Sequence, residues 1–210
     1  MYDLAALIAA FTTLLVIIDP IGLAPLFVAM TQGMDAKKRR AIAVRSCLVG
    51  AGLLVMFGLL GESVLGFVGI SMPAFRIAGG VLLFLTALDM LFERRQTRRS
   101  DTADEGAQEH HDDPSVFPLA IPLIAGPGSI ATIILLTGQA EGVTDYVTVL
   151  GVMLSVIFIV YLFFMAAGVM ERLLGKVGIN VITRLLGMLL AALSVQFILD
   201  GLQSFGFLGA

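Results

Sequence analysis

The chain has 210 residues, of which 58% are hydrophobic and 14% are charged, with a formal net charge of −3 and a mean hydropathy of +0.98. Soluble domains carry about 25% charged residues, so this composition excludes an ordinary soluble fold and predicts a membrane protein. Cys47 is the single cysteine, which excludes an internal disulfide.

Six apolar stretches are each long enough to cross a bilayer as a helix, since one span needs roughly 20 apolar residues. They cover residues 4–30, 42–60, 74–92, 118–137, 147–169 and 181–199. The first residues lack the basic region and the cleavage site of a signal peptide, so we expect the first stretch to remain in the membrane. The predicted fold class is therefore an all-α membrane protein of six transmembrane helices.

A break is predicted within the first stretch. As one continuous helix it would be about 40 Å long, which exceeds the roughly 30 Å of the hydrocarbon core. In the run Asp19-Pro20-Ile21-Gly22, the carboxylate is placed to cap a following half-helix, whose first position tolerates proline. A carboxylate within lipid costs at least about 2.5 to 3.5 kcal/mol, which favours a functional role. Three interpretations of Asp19 remain open: a structural cap, a contact for a substrate ammonium and a proton-coupling site.

Residues 93–116 form a charged segment that is predicted to be a cytoplasmic linker, because low hydrophobicity and dense charge oppose independent folding. It begins with the arginines Arg94, Arg95, Arg98 and Arg99 and continues with an acidic run. The run His110-His111-Asp112-Asp113 has ligand types that suit a divalent metal. It lacks further ligands at metal-site spacing, so we interpret it as a solvated loop and predict no metal site. Asp89 lies four residues before Glu93 and is expected at the membrane interface.

Lysine and arginine in the loops are confined to one side of the six-span arrangement. They lie between spans one and two, three and four, and five and six, whereas the opposite loops and both termini carry none. The positive-inside rule therefore predicts that the linker is cytoplasmic and that both termini lie on the outer, periplasmic face of a bacterial inner membrane.

The fourth stretch contains a second predicted break, Pro122-Leu123-Ile124-Ala125-Gly126-Pro127-Gly128, after which Ser129 is placed to cap the next half-helix. Pro122 and Pro127 each lie 102 residues after a proline of the first break, Pro20 and Pro25. The glycine-containing runs 65–70 and 174–179 also match each other. Because each half has three spans, these matches predict two inverted three-helix repeats, residues 1–92 and 117–210, within one membrane domain.

The chain resembles the MarC family of bacterial and archaeal six-span inner-membrane proteins over essentially its whole length. The residues that carry the resemblance are Asp19-Pro20-Ile21-Gly22 with Pro25, Arg76-Ile77-Ala78-Gly79-Gly80, and the run from Pro122 to Ile130. The resemblance implies inverted three-helix repeats with discontinuous first and fourth helices. It also implies transport of small neutral amino acids of the glycine and alanine class.

The residues themselves give a physical reason to expect a binding site at the breaks. Unpaired backbone groups inside lipid are tolerated only beside protein or a wet cavity, and matching breaks in two halves indicate a substrate site. The amino end of a half-helix attracts a carboxylate, and carbonyls released by the preceding half-helix attract an ammonium. Glycine leaves room for close approach by a small zwitterion. The candidate substrate-binding residues are Asp19, Pro20, Ile21, Gly22, Pro25, Ala125, Gly126, Pro127, Gly128 and Ser129.

Three function classes are compared, and a secondary transporter is favoured by the paired breaks. No cofactor and no nucleic-acid partner are predicted, and the chain lacks a phosphate-binding loop. An intramembrane enzyme would need Asp19 and Asp89 as a carboxylate pair, but the six-span arrangement puts them at different depths, and no nucleophile motif is present. A channel or structural membrane subunit is compatible with the breaks.

Overall fold

The computed structural model describes residues 4–94, 98–99 and 113–205, and all regular structure within these ranges is helical. The elements are α1 (Leu4–Ile18), α2 (Pro20–Met30), α3 (Ala36–Val68), α4 (Met72–Leu91), a π-type segment (Ser115–Ile124), α5 (Pro127–Thr137) and α6 (Val143–Ser204). His110, His111 and Asp112, with most of the linker, lie outside the described residues.

The helices confirm the six predicted stretches. Five helical regions are long and apolar enough to cross a membrane: Leu4–Met30, Ala36–Val68, Met72–Leu91, Val143–Met170 and Val177–Ser204. The π-type segment and α5 form a pair bent by 58°, which makes a sixth span when the two are counted together. Both predicted breaks are therefore present, one between α1 and α2 and one between the π-type segment and α5.

The ends of α3 and the start of α4 follow ordinary capping chemistry. The Asp35 carboxylate accepts a hydrogen bond from the amide of Lys38, so α3 starts six residues before its apolar stretch. Gly69, with φ of +81°, ends α3 in the left-handed conformation. Ser71 then caps α4 through the amide of Ala74. The result is a tight connection between the second and third spans.

A single residue, Gly175, divides α6 into two membrane-spanning arms. Its φ of +59° is a left-handed backbone conformation that side chains disfavour. The two aligned runs do not turn at equivalent glycines. Gly66 aligns with Gly175 and Gly69 aligns with Gly178. The turns are formed by Gly69 and Gly175, whereas Gly66 lies inside α3 and Gly178 inside α6. The inverted relation of the halves, with their boundaries at 1–92, 93–116 and 117–210, stays a prediction.

Close helix contacts hold the core around the breaks. The rings of Phe27 in α2 and Phe164 in α6 stack with centroids 4.5 Å apart. A Cβ added to Gly80 of α4 would lie 2.8 Å from the carbonyl oxygen of Ser194 in α6. Gly187 of α6 would similarly meet the Ala87 carbonyl oxygen at 3.3 Å. Such small-residue contacts let α4 and α6 approach backbone to backbone.

Candidate functional site

Asp19 forms the first break and is completely buried. Its φ of 58° and ψ of 68° place it in the left-handed region, and its carboxylate Oδ1 accepts a hydrogen bond from the amide of Gly22 at 3.0 Å. Pro20 occupies the first position of α2, where its missing N–H is not needed. The capping role predicted for Asp19 is therefore confirmed.

The break is only one residue long, because the backbone remains hydrogen-bonded on both sides. The amide of Asp19 donates to the Leu15 carbonyl at 2.9 Å, and the amide of Leu23 donates to the Asp19 carbonyl at 3.0 Å. In a continuous helix the Gly22 amide would donate to the Ile18 carbonyl, but here it donates to the Asp19 carboxylate. The Ile18 carbonyl therefore accepts from a donor outside α1 and α2.

That donor is Arg99 of the linker. Its Nη2 donates to the Ile18 carbonyl at 3.1 Å, and its Nη1 donates to Asp19 Oδ2 at 3.0 Å. The Arg99 side chain is only 7% exposed, so this is a buried ion pair. Burial lowers the pKa of the Arg99 guanidinium, while the Asp19 charge opposes that shift.

This partner was not predicted from the sequence, in which Arg99 is one of four linker arginines that indicate the membrane orientation. The available signal was Asp19 itself, since a carboxylate buried within a membrane span needs a cation or several donors nearby. Four linker arginines offered that cation, and only the folded chain distinguishes among them.

The second break lies between Ile124 and Pro127. The amide of Gly126 donates to Ser129 Oγ at 2.9 Å, and the Ser129 hydroxyl lies 2.7 Å from the Ile124 carbonyl oxygen, to which it donates. Pro127 is the first residue of α5. Ser129 therefore ties both sides of the break together from the third position of α5, whereas the N-cap is Gly126, so the predicted placement of Ser129 as the residue that caps the next half-helix is wrong.

Two residues of the π-type segment, Phe117 and Ile121, are not helical. Ile121, which lies 102 residues after Asp19, is extended with φ of −125° and ψ of 124°. The larger bend follows at Ala125 and Gly126, whose counterparts at the same offset, Leu23 and Ala24, lie inside α2. The aligned prolines thus mark one matching irregularity, and the fourth span adds two of its own, at Phe117 and at the bend of Ala125 and Gly126.

A cavity of about 220 Å³ lies beside the second break. It is lined by Ile17, Thr86, Asp89, Arg98, Arg99, Pro122, Leu123, Gly126, Pro127, Gly128 and Ser129. Four of the ten candidate residues, Gly126 to Ser129, are therefore at the cavity. The other six, Asp19, Pro20, Ile21, Gly22, Pro25 and Ala125, do not line it, and Asp19 is connected to it through Arg99.

The interfacial position predicted for Asp89 stays a prediction, and the structure adds an ion-pair partner that the sequence did not indicate. Asp89 lines the cavity, and its carboxylate pairs with Arg98, leaving the Asp89 side chain only 17% exposed. The two linker arginines and the two aspartates form two ion pairs, so these four charges sum to zero at the cavity. Arg184, by contrast, pairs with Glu93 away from the cavity, and both side chains are about half exposed.

The cavity is smaller than the roughly 300–1,000 Å³ typical of sites for drug-sized molecules. Gly22 is packed against the ion pair, since an added Cβ would lie 2.2 Å from Asp19 Oδ2. An added Cβ at Gly126 would lie 2.5 Å from the Pro122 carbonyl oxygen. Gly22 is therefore required by the packing of the ion-pair side chains, and Gly126 is required by the backbone of the second break.

Comparison with known proteins identifies relatives along the whole chain. The family described as MarC family integral membrane protein matches residues 4–205. A UPF0056 membrane protein of Methanocaldococcus jannaschii is 36% identical, with 96% of this chain and 98% of the relative covered. YvbG of Bacillus subtilis is 35% identical with 94% of each chain covered.

The inner membrane protein YhgN of Escherichia coli is 32% identical, with 94% of this chain and 96% of the relative covered. No solved structure matches the chain significantly. The relatives are described as membrane proteins and not by an enzymatic activity. The chain belongs to the MarC family of integral membrane proteins.

Proposed function

We propose that this protein is a secondary transporter of small neutral amino acids, with glycine and alanine as substrates. The observation that carries the proposal is the buried Arg99–Asp19 ion pair at the first break, whose Arg99 also lines the small cavity at the second break. A zwitterionic amino acid has one group complementary to each member of that pair.

The charges support a specific orientation of the substrate. The substrate carboxylate would contact the Arg99 guanidinium and the amino end of α5, where backbone dipoles favour negative charge. The substrate ammonium would contact the Asp19 carboxylate and the released Ile18 carbonyl, both of which Arg99 occupies in this structure. Binding would exchange one internal ion pair for two pairs with the substrate and leave the site neutral.

The shape of the site supports a small substrate. Gly126, Gly128 and Ser129 form one wall of the cavity with little side-chain volume, and Thr86 and Ile17 lie opposite. A Cβ at Gly128 would come within 3.3 Å of Ile17 Cγ2, so the walls are already close. Large side chains on the substrate would have to displace these helices.

The linker would control access to the site. Arg98 and Arg99 line the cavity and are held there by ion pairs with Asp89 and Asp19. Release of both ion pairs would open this side, which the positive-inside rule assigns to the cytoplasm, while rocking of the two halves would open the other. Asp19 is also our candidate for the coupling proton, because it is the carboxylate that substrate and Arg99 would share.

Uptake by purified protein in liposomes tests the proposal. We expect saturable uptake of labelled glycine and alanine that responds to an imposed proton gradient. An unsaturable leak would indicate a channel, and no flux of either amino acid would favour a structural subunit or an intramembrane enzyme. Arg99→Gln should abolish uptake, and Arg184→Gln is the matched control because its ion pair lies at the surface.

The membrane orientation belongs to the same proposal. The Escherichia coli relative is named as an inner membrane protein, and we propose that location for this chain with both termini on the periplasmic face. Accessibility of cysteines introduced at Gly33 and Gly142, on opposite sides of the membrane in this arrangement, to a membrane-impermeant reagent tests it. Labelling of both from the same side would contradict it.

A further inference from the structure

A second concave region, the arginine groove, lies between the start of α3 and the middle of α6. It has a volume of about 340 Å³ and is lined by Arg39, Arg40, Phe164, Gly168, Val169 and Arg172, among others. It shares no lining residue with the cavity at the second break. It is therefore a separate feature that the proposed transport does not use.

The groove gathers three positive charges. Arg39 and Arg40 come from α3 and Arg172 comes from α6. Among the side chains that the structure describes, no carboxylate forms an ion pair with any of the three. Three cations that line one groove repel one another, so the arrangement favours a bound anion.

Arg39 is held in place by aromatic residues beneath the groove. Its guanidinium carbon lies 5.8 Å from the centroid of the Phe27 ring, and that ring stacks on Phe164. A guanidinium fixed in this way loses less freedom on binding and presents a planar set of donors suited to phosphate oxygens. The groove is thus partly preorganised for a phosphate group.

Apolar surface continues from the arginines into the membrane. Val169 is 60% exposed, and a Cβ added at Gly168 would meet nothing within 4 Å, so the glycine leaves an open notch on α6. On the α3 side, Arg40 also borders a groove with the exposed residues Val44 and Leu48. A free phosphate ion would make no favourable contact with these apolar walls, whereas the acyl chains of a lipid would pack against them.

The level in the membrane is also appropriate. Arg39 and Arg40 lie in the first turns of α3, and Arg172 lies two residues beyond the span Val143–Met170. The second span begins and the fifth span ends at this level, so all three arginines lie on one side of the membrane, at the depth of the phospholipid headgroups. We propose that the arginine groove binds an anionic phospholipid, with its phosphate on the three arginines and its acyl chains along the apolar walls of α3 and α6.

Lipid retention by the purified full-length protein tests this binding directly. Native mass spectrometry from mixed micelles would compare cardiolipin and phosphatidylglycerol with phosphatidylcholine. We expect preferential retention of the two anionic lipids, and roughly tenfold weaker retention when Arg40→Gln and Arg172→Gln are combined. Gly168→Leu, which fills the notch and leaves every charge in place, should weaken retention by a similar factor.

Two matched controls separate the site from general effects of charge and bulk. Arg184→Gln removes one surface arginine elsewhere, and Gly151→Leu adds the same side chain at another exposed glycine of α6 whose Cβ would meet nothing within 4 Å. Both should retain anionic lipid like the parent protein. Thermal unfolding of every variant in detergent confirms that it is folded before lipid is added.

Three outcomes would overturn the inference. Equal retention of phosphatidylcholine would show that the phosphate charge is not selected. Full displacement of the anionic lipid by millimolar inorganic phosphate would show a phosphate site that needs no acyl chains. Unchanged retention in folded Gly168→Leu would show that the notch is not occupied. None of these outcomes depends on amino acid transport.

Discussion

The guanidinium of Arg99 donates to the carboxylate of Asp19 at 3.0 Å, although the two residues are 80 positions apart in the chain. One belongs to the break in the first span and the other to the linker between the two halves. The pair therefore joins the first break to a linker residue that lines the cavity. Because both side chains are buried, neither charge has water to replace its partner.

Removing one member of this pair should destabilise the protein more than removing both. Arg99→Gln leaves an unpaired buried carboxylate, and the cost of breaking a buried ion pair is about 3–5 kcal/mol. Combining Arg99→Gln with Asp19→Asn should recover part of that loss in a double-mutant cycle. Thermal unfolding in detergent provides the measurement.

The surface pair Arg184–Glu93 is the control for this cycle, since its side chains are about half exposed. An exposed pair contributes about 0–1 kcal/mol, so its double-mutant cycle should show little coupling. Equal coupling energies for the two pairs would mean that the Arg99–Asp19 contact is not buried in the folded protein.

Replacing Gly22 should abolish transport while leaving the protein inserted. The Cβ of Gly22→Ala would overlap Asp19 Oδ2, and it would lie 3.0 Å from Arg99 Nη1, so the carboxylate has to move. Gly22→Val should be more severe. Gly52→Ala is the matched control, because an added Cβ there meets nothing within 4 Å.

Glycine uptake and membrane insertion should be measured together for both alanine variants. The expectation is normal insertion for each, with uptake lost only in Gly22→Ala. Uptake at the parental rate in Gly22→Ala would remove the first break from the substrate site.

Replacing Gly126 is expected to damage the second break in the same way. A Cβ at this position would meet the Pro122 carbonyl oxygen at 2.5 Å, and that backbone atom is less able to move than a side chain. Gly126→Val should therefore abolish uptake without preventing insertion, whereas Gly151→Val in the exposed face of α6 should not. Normal uptake by Gly126→Val would contradict the proposed site.

The charge of the accepted substrate should change with the charge of the site. The parent protein should bind glycine and alanine better than alaninamide, a cation, or propionate, an anion. Asp19→Asn leaves Arg99 unbalanced and should shift the preference toward propionate, while Arg99→Gln leaves Asp19 unbalanced and should shift it toward alaninamide. Equilibrium binding of each labelled compound to the purified protein measures each preference, because Arg99→Gln is expected to abolish uptake and would give no transport signal.

An unaltered order of preference in both variants would show that the pair does not contact the substrate. Asp35→Asn and Arg184→Gln serve as controls of the same charge change. Neither residue lines the cavity, so neither variant should change which charge is accepted.

If Asp19 carries the coupling proton, transport should lose its pH dependence when that carboxyl cannot titrate. We expect uptake by the parent protein to respond to an inward proton gradient and residual uptake by Asp19→Asn to be insensitive to it. Asp89→Asn tests the nearby alternative, since Asp89 is a carboxylate that lines the cavity. Retained pH dependence in Asp19→Asn would limit Asp19 to capping and substrate contact.

Local chemistry explains which parts of the site were predictable. Asp19 caps α2 through a residue three positions away, and Pro20 occupies the first helical position, so both facts follow from short-range rules. Ser129 bridges Gly126 and Ile124 for the same kind of reason. The partner of Asp89 was not predictable in this way, because Arg98 lies nine positions away in the chain, beyond the reach of capping rules, and the two side chains meet at the cavity wall.

The amino-acid sequence by itself determined the membrane class, the six spans and the two breaks, because hydrophobic length and helix capping act within a few residues of each other. Only the tertiary structure decided that Arg99, among the linker arginines, neutralises Asp19, and that this pair lies beside the cavity of the second break. A buried charge selects its partner by proximity in the folded chain, and neither composition nor spacing records that proximity.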